Sequence, residues 1–286
     1  MTNDYGNLEL HQVLLAAMKD IDRICRENGL KYYLHAGTLL GAVNHKGFIP
    51  WDDDVDISML PDDFRIFTGI IQSEYDDRYQ IKTYDNTPDY YSKLNKLQVL
   101  GAEVVYVNGK KENVFIDISV LHHAPDGEIA RWIQRRELEF WDRVIGVKSG
   151  SITPVSFLSK VLLIPFSHIH KSWIGRRLDK IMGRYDGVET QWYALMIHML
   201  PNPYTGRNGY ENDFVPKSIC MKPKNIAFED TQLMVYSNPV VDLERRYGKD
   251  FAKPYPEEKR VSKHNICQYI VSEQLHKRIS MKGDES

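Results

Sequence analysis

The stretch Phe48-Ile-Pro-Trp-Asp-Asp-Asp-Val-Asp-Ile-Ser-Met59 puts four aspartates into five positions, and it constrains this chain more than any other segment. From Asp53 to Met59 acidic and apolar residues alternate, which predicts a half-buried strand. On a strand, Asp52, Asp54 and Asp56 share one face and Asp53 points to the other, where a structural role is expected. A two-residue step is about 6.6 Å. Two carboxylates at that distance repel by roughly 2.5 kcal/mol at an effective dielectric of 20. Most charge runs are simply solvated. Here Trp51, Val55, Ile57 and Met59 tie the run to a core, so a cation is expected among the acids. Hard divalent ions with oxygen ligands, Mg²⁺ or Mn²⁺, fit that description. A calcium EF-hand counted from Asp52 fails, because its sixth position is Ile57 rather than Gly and its twelfth is Asp63 rather than Glu.

A second strand pattern, Val114 to Val120, carries one carboxylate, Asp117, between Ile116 and Ile118. A lone acid in such a strand is costly unless it is paired or binds a metal. Together with Asp54 and Asp56 it makes a three-carboxylate set of the kind that holds two ions for phosphoryl transfer.

Apolar spacing predicts a helix over 8–28 closed by Asn28-Gly29, a short strand over 31–35, a Gly37-Thr38 turn capping a short helix over 39–43, and a helix from Pro61 to about Ser73. Strands are expected at 79–84, 93–99, 103–107 and 114–120, and a mainly helical pattern from 128 to about 199. The fold class expected is therefore α+β: a mixed sheet with flanking helices over residues 1–125, then a mainly helical subdomain over 126–286 whose C-terminal part completes the site. With 37 Lys and Arg against 39 Asp and Glu, the chain lacks the cationic surface of a nucleic-acid binder. Its three cysteines are far apart and form no CxxC pair, so no zinc knuckle or disulfide framework is expected, and a reduced, cytoplasmic setting fits. No apolar run is long enough to span a bilayer and no secretory signal opens the chain.

Gly37-Thr38, Asp54-x-Asp56 and Asp117 together resemble the nucleotidyltransferase-fold superfamily. The longer run from His35 to Asp56, with Phe228-Glu-Asp, Arg246-Tyr-Gly-Lys-Asp-Phe251 and Pro256, resembles the LicD family, which includes phosphocholine transferases and fukutin-related ribitol-phosphate transferases. Asn44 stands where that pattern suggests a basic residue, and Ser58 where Gly is common. The resemblance implies transfer of a substituted phosphate from a CDP-linked donor, CDP-choline foremost and CDP-ribitol or CDP-glycerol next, to a hydroxyl of a glycan acceptor, with release of CMP. On this reading Asp54, Asp56 and Asp117 are catalytic and hold two Mg²⁺ or Mn²⁺ ions, with Asp52 assisting. Gly37, Thr38, Lys46 and Lys96 bind the donor phosphates. His35, Glu229, Arg260 and His264 are secondary candidates. Lys93 and the pair His122-His123 are weaker ones, each equally readable as an ordinary surface or core residue.

Residues 155–182 mix apolar and aromatic side chains with cations, which suits either a segment lying on an anionic membrane near a lipid-linked acceptor or a helical hairpin packed on the core. Two other functions share these features: a nucleotidyltransferase moving NMP from an NTP, and a non-catalytic, membrane-associated binding protein. Aromatic pairs at Tyr90-Tyr91 and Trp192-Tyr193 are candidates for enclosing a choline ammonium.

Overall fold

Leu10, Val13, Leu14, Ala17, Ile21, Ile24 and Cys25 recur at helical spacing, and helix α1 (Leu8–Glu27) buries all of them. Gly29, at φ +66°, supplies the left-handed residue that ends the helix and turns the chain into strand β1 (Tyr32–Leu34). The structure is a computed structural model. It describes residues 5–88, 90–150, 165–166, 168–197, 199, 202–254, 256–260 and 266–283.

The main sheet runs β1, β2 (Asp56–Met59), β5 (Lys111–Val120), β4 (Asn95–Tyr106). It is mixed: β2 and β5 are parallel, and the other pairs are antiparallel. The outer edge of β4 is shared. Strand β3 (Tyr79–Lys82) pairs with Lys96–Val99, and β11 (Ile266–Val271) pairs with Ala102–Tyr106. The two strands expected at 93–99 and 103–107 are thus one bent strand. Its register shifts between Gln98 and Glu103, around Gly101 at φ +90°, whose carbonyl accepts the Ser272 amide at 2.8 Å.

Helix α2 (Ala36–His45) connects β1 to β2, and α3 (Pro61–Glu74) follows β2 with proline in its first turn. Helix α4 (Glu128–Lys148) packs on α5 (Lys171–Met182) around a second apolar cluster that includes Leu138, Trp141, Ile174, Leu178 and Ile181. A small antiparallel sheet of β6 (His122–Ala124), β7 (Trp192–Ala194) and β8 (Phe214–Pro216) bridges the two clusters. The chain then returns to the main core. The hairpin of β9 (Lys224–Phe228) and β10 (Thr231–Val235), helix α6 (Pro239–Tyr247) and helix α7 (Glu273–Gly283) all follow, with Phe228, Leu233, Leu243 and Leu275 buried in the first cluster.

Of the 155–182 segment, residues 155–164 and 167 lie outside the described residues, as does His264. Over 171–182 the apolar face is turned inward: Ile174, Leu178 and Ile181 are buried in protein, while Trp173 stays exposed. Among the described residues no helix is long and apolar enough to cross a membrane.

Candidate active site

The acids converge because two sheet neighbours lie side by side. Asp56 opens β2 and is in register with Asp117 on β5, so the two side chains leave one face of adjacent parallel strands. The Asp117 amide donates to the Val55 carbonyl at 2.8 Å, which extends the ladder just upstream of β2. Lys96 faces Asp117 on its other side, with Nζ 3.8 Å from Oδ1. Burial pushes the Lys96 ammonium below its ordinary value, against the opposing pull of Asp117 and Glu112. Burial also pushes the Asp56 carboxyl well up, and Asp54, Asp117 and Asp52 add to that, so this is a site with excess negative charge.

The alternation expected over Asp53–Met59 is only partly realised. Strand β2 begins at Asp56, and residues 52–55 are irregular. Freed from a ladder, Asp52, Asp53 and Asp54 bring carboxylate oxygens within 4.8 Å of one another, a cluster that could hold a metal ion. Asp53, expected to point away, is therefore part of the acidic cluster, although it is 6% exposed and Asp52, Asp54 and Asp56 are the members that line the cavity.

The backbone of this irregular segment is pinned from α1. The Asp52 carbonyl accepts from Asn7 Nδ2 at 2.7 Å and from His11 Nε2 at 2.8 Å, and the His11 ring stacks on Phe48 at 4.2 Å. Gly37 lies close to the Asp52 side chain: a Cβ there would stand 2.9 Å from Asp52 Oδ2. Gly37 thus admits an acid beside the start of α2.

Thr38 was expected as a helix cap. The helix instead starts at Ala36, with His35 in the capping position, because the chain leaves β1 directly into it. The Thr38 hydroxyl accepts the Asp56 amide at 2.8 Å, so it positions the acidic strand from within the protein. Lys46 is not brought to the cavity. It adopts φ +58° at the end of α2 with an exposed side chain, and its carbonyl accepts the Glu229 amide at 2.7 Å. Glu229 is also away from the cavity. Its Oε1 accepts the Phe48 amide at 3.0 Å and crowds Gly47, where a Cβ would overlap it. Both residues hold the loop before the acids.

His35 is buried, with Nδ1 3.9 Å from Asp242 Oδ2 and 3.5 Å from the Tyr236 hydroxyl, which in turn meets Ser58 Oγ at 3.0 Å. Ser58 is accounted for by that bond. Asn44 lines the cavity and donates from Nδ2 to the Phe251 carbonyl at 3.3 Å. Lys93 pairs with Asp142 of α4 at 2.9 Å, His122 with Asp186 at 2.7 Å, and His123 with Thr190 at 3.1 Å. None of the three lines the cavity beside the acids.

That cavity measures about 1090 Å³. Arg260, a candidate from the sequence, lines it with its guanidinium 5.2 Å over the Trp51 ring. Two neighbours within the run Arg246 to Phe251 carry no local signal for the site. Tyr247 lines the cavity within the field of Asp56 and Asp52. Arg246 is buried behind it, 3.5 Å from Asp213 and within the fields of Asp242 and Asp56. In the sequence they are the end of the run Glu244-Arg245-Arg246-Tyr247 on an amphipathic helix, which nothing but the tertiary fold ties to the acids.

The description LicD/FKTN/FKRP nucleotidyltransferase domain matches residues 29–171, the half of the chain that contains the acids. The chain belongs to this family. It is 24% identical over 270 residues to the lipopolysaccharide cholinephosphotransferase LicD of Haemophilus influenzae, covering 92% of this chain and 99% of that protein. An uncharacterized protein of Rickettsia typhi, RT0683, is 33% identical over 114 residues, 39% of this chain and 32% of its own length. A second, RP689 of Rickettsia prowazekii, is 46% identical over 56 residues, 20% of each chain. The mixed sheet with flanking helices agrees with the nucleotidyltransferase fold expected from the Gly-Thr and three-acid arrangement.

Proposed function

We propose that this LicD-family transferase moves phosphocholine from CDP-choline to a hydroxyl of a cell-surface glycan precursor and releases CMP. One observation carries the reaction type: Asp54 and Asp56 line a cavity, and Asp56 is in register with Asp117 on the neighbouring strand, so negative charge gathers there as a site for cations would need. The similarity to a lipopolysaccharide cholinephosphotransferase along nearly all of both chains supports choline as the transferred group and a lipid-linked glycan as the acceptor.

The donor set is all carboxylate oxygen, which fits Mg²⁺ or Mn²⁺. Asp54, Asp56 and Asp117 would hold the metal, with Asp52 assisting. When bound, such ions neutralise a diphosphate and stabilise its leaving group. The protein's own groups do the rest. Asp117 orients the acceptor hydroxyl and takes its proton as the acceptor oxygen bonds to the choline-bearing phosphorus. The bond from that phosphorus to the bridging oxygen breaks, and CMP leaves with the oxygen and its charge. Lys96 beside Asp117 and Arg260 at the cavity wall supply positive charge for the phosphates.

The test is product release. The full chain is incubated with Mn²⁺ and, separately, CDP-choline, CDP-ribitol, CDP-glycerol and CTP. CMP formed from CDP-choline and lost in Asp54→Ala is the expected result. Pyrophosphate formed from CTP would overturn it in favour of nucleotidyl transfer.

A further inference from the structure

Two aromatic walls flank the acids in the same cavity, and they are not equivalent. Trp51, which immediately precedes Asp52, has its face covered by a cation of the chain itself, Arg260, at 5.2 Å. The other wall is the pair Tyr204 and Tyr247, whose rings meet edge to face at 5.3 Å. Tyr204 lines the cavity and is 50% exposed, so much of its side chain is open to a ligand there. Tyr247 lies within the fields of Arg246, Asp56 and Asp52. The positive charge of Arg246 is offset by Asp213, 3.5 Å away, and by Asp242.

An open tyrosine face beside carboxylates is suited to an organic cation. The ring quadrupole attracts positive charge without needing a hydrogen bond, which a quaternary ammonium cannot give. A neutral polyol would gain little there, since it needs directional donors and acceptors. The candidates Tyr90-Tyr91 and Trp192-Tyr193 do not line this cavity.

We infer that the Tyr204–Tyr247 corner is the head-group pocket of the donor site and selects a quaternary ammonium over a neutral polyol. This rests on the proposed use of a CDP-linked donor. Tyr204 is the specificity-determining residue. It projects from the turn after Asn202, whose Oδ1 accepts the Tyr204 and Thr205 amides at 2.8 and 3.1 Å, so the ring is carried by a fixed loop.

The experiment is calorimetric titration of the full chain with CDP-choline and CDP-glycerol in Mn²⁺, with saturation-transfer NMR on the N-methyl protons of free choline. Tyr204→Ala is expected to weaken CDP-choline about 5- to 30-fold, the effect of one cation–π contact. CDP-glycerol should change less than about 2-fold and Tyr204→Phe should stay near wild type. Equal weakening of both donors, or no change in either, overturns the pocket. If neither donor binds wild type but choline shows saturation transfer that Tyr204→Ala abolishes, the donor reading falls and the ammonium pocket stands. If choline shows none either, both fall.

Discussion

The hydroxyl of Thr38 accepts the backbone N–H of Asp56 at 2.8 Å, so the first turn of α2 fixes the residue that begins the acidic strand. That bond, and not a helix cap, is what the Gly-Thr turn contributes here. Thr38→Val leaves the Asp56 amide without this partner in a largely buried position, at a cost of about 1–3 kcal/mol. The expected outcome is a lower Tm and a lower kcat with little change in KM. Thr38→Ser, which keeps the hydroxyl, should restore most of both. If Thr38→Val matches wild type in denaturation and turnover, the bond has no such role.

Asp56 has the opposite balance between stability and function. It is half-buried at the cavity, near Asp54, Asp117 and Asp52, which oppose its charge in the metal-free protein. Asp56→Asn removes one charge and is expected to raise the metal-free Tm while lowering CMP release at least about 100-fold, the scale of removing a charge-stabilising group from an active site. Mn²⁺ is expected to raise the Tm of wild type and not that of the variant. Differential scanning with and without Mn²⁺ checks both signs in one series.

Gly47 and Glu229 meet in the loop that precedes the acids, outside the cavity lining. Because a Cβ at Gly47 would overlap the Glu229 carboxylate, Gly47→Ala must displace the group that accepts the Phe48 amide. We expect a loss of about 1–3 kcal/mol in urea unfolding, with a smaller loss in Glu229→Gln, whose amide oxygen still accepts. A Gly47→Ala variant as stable as wild type would show that the loop accommodates the methyl freely.

Asp186 gives a pH signature outside the site. Burial raises its carboxyl, but hydrogen bonds from the His122 ring and the His123 amide outweigh this and hold it below its ordinary 3.8. A carboxyl depressed in the folded state stabilises above its unfolded pKa. That contribution is present above pH 3.8 and is lost as the pH falls below it, through the folded value. Asp186→Asn should therefore be less stable than wild type at pH 7, and the gap should close as the pH falls below 3.8. A gap that is constant with pH would contradict the linkage.

Arg246 ties the acidic wall to the rest of the core. Asp213 and Asp242 are 0% and 1% exposed, so removing the guanidinium takes the main offsetting charge from two buried carboxylates. Arg246→Met is expected to cost about 3–5 kcal/mol, and Arg246→Lys to recover only part of it because the ammonium lacks the planar fork. Urea denaturation of the two variants decides this.

Several of these relationships were legible in the residue order and several were not. The run around Val55, Ile57 and Met59 was enough to place a strand at 56–59, though it is buried on both faces rather than half-buried, and Ile116-Asp117-Ile118 was enough to place a second strand. Helix α1 followed from spacing and from Asn28-Gly29. The parity rule failed at Asp53, because it holds only inside a ladder and the ladder begins at Asp56. Lys46 looked well placed for phosphates by its nearness to the acids along the chain. Its left-handed backbone leaves the side chain in solvent.

The sequence by itself determined the chemistry available. Four aspartates in five positions and a fifth in an apolar strand gather carboxylates at a core edge, where Asp52, Asp53 and Asp54 form a cluster that could hold a metal ion. Only the tertiary structure decided which residues surround that site. Arg246, Tyr247, Tyr204 and Arg260 lie about 150–200 positions beyond Asp56 in the chain. Helix packing and loop return bring Tyr204, Tyr247 and Arg260 to one cavity and place Arg246 in the core next to Tyr247. Local pattern reports a residue's neighbours within a turn or a strand pair, whereas contacts across a core depend on how whole elements pack, and no local spacing encodes that.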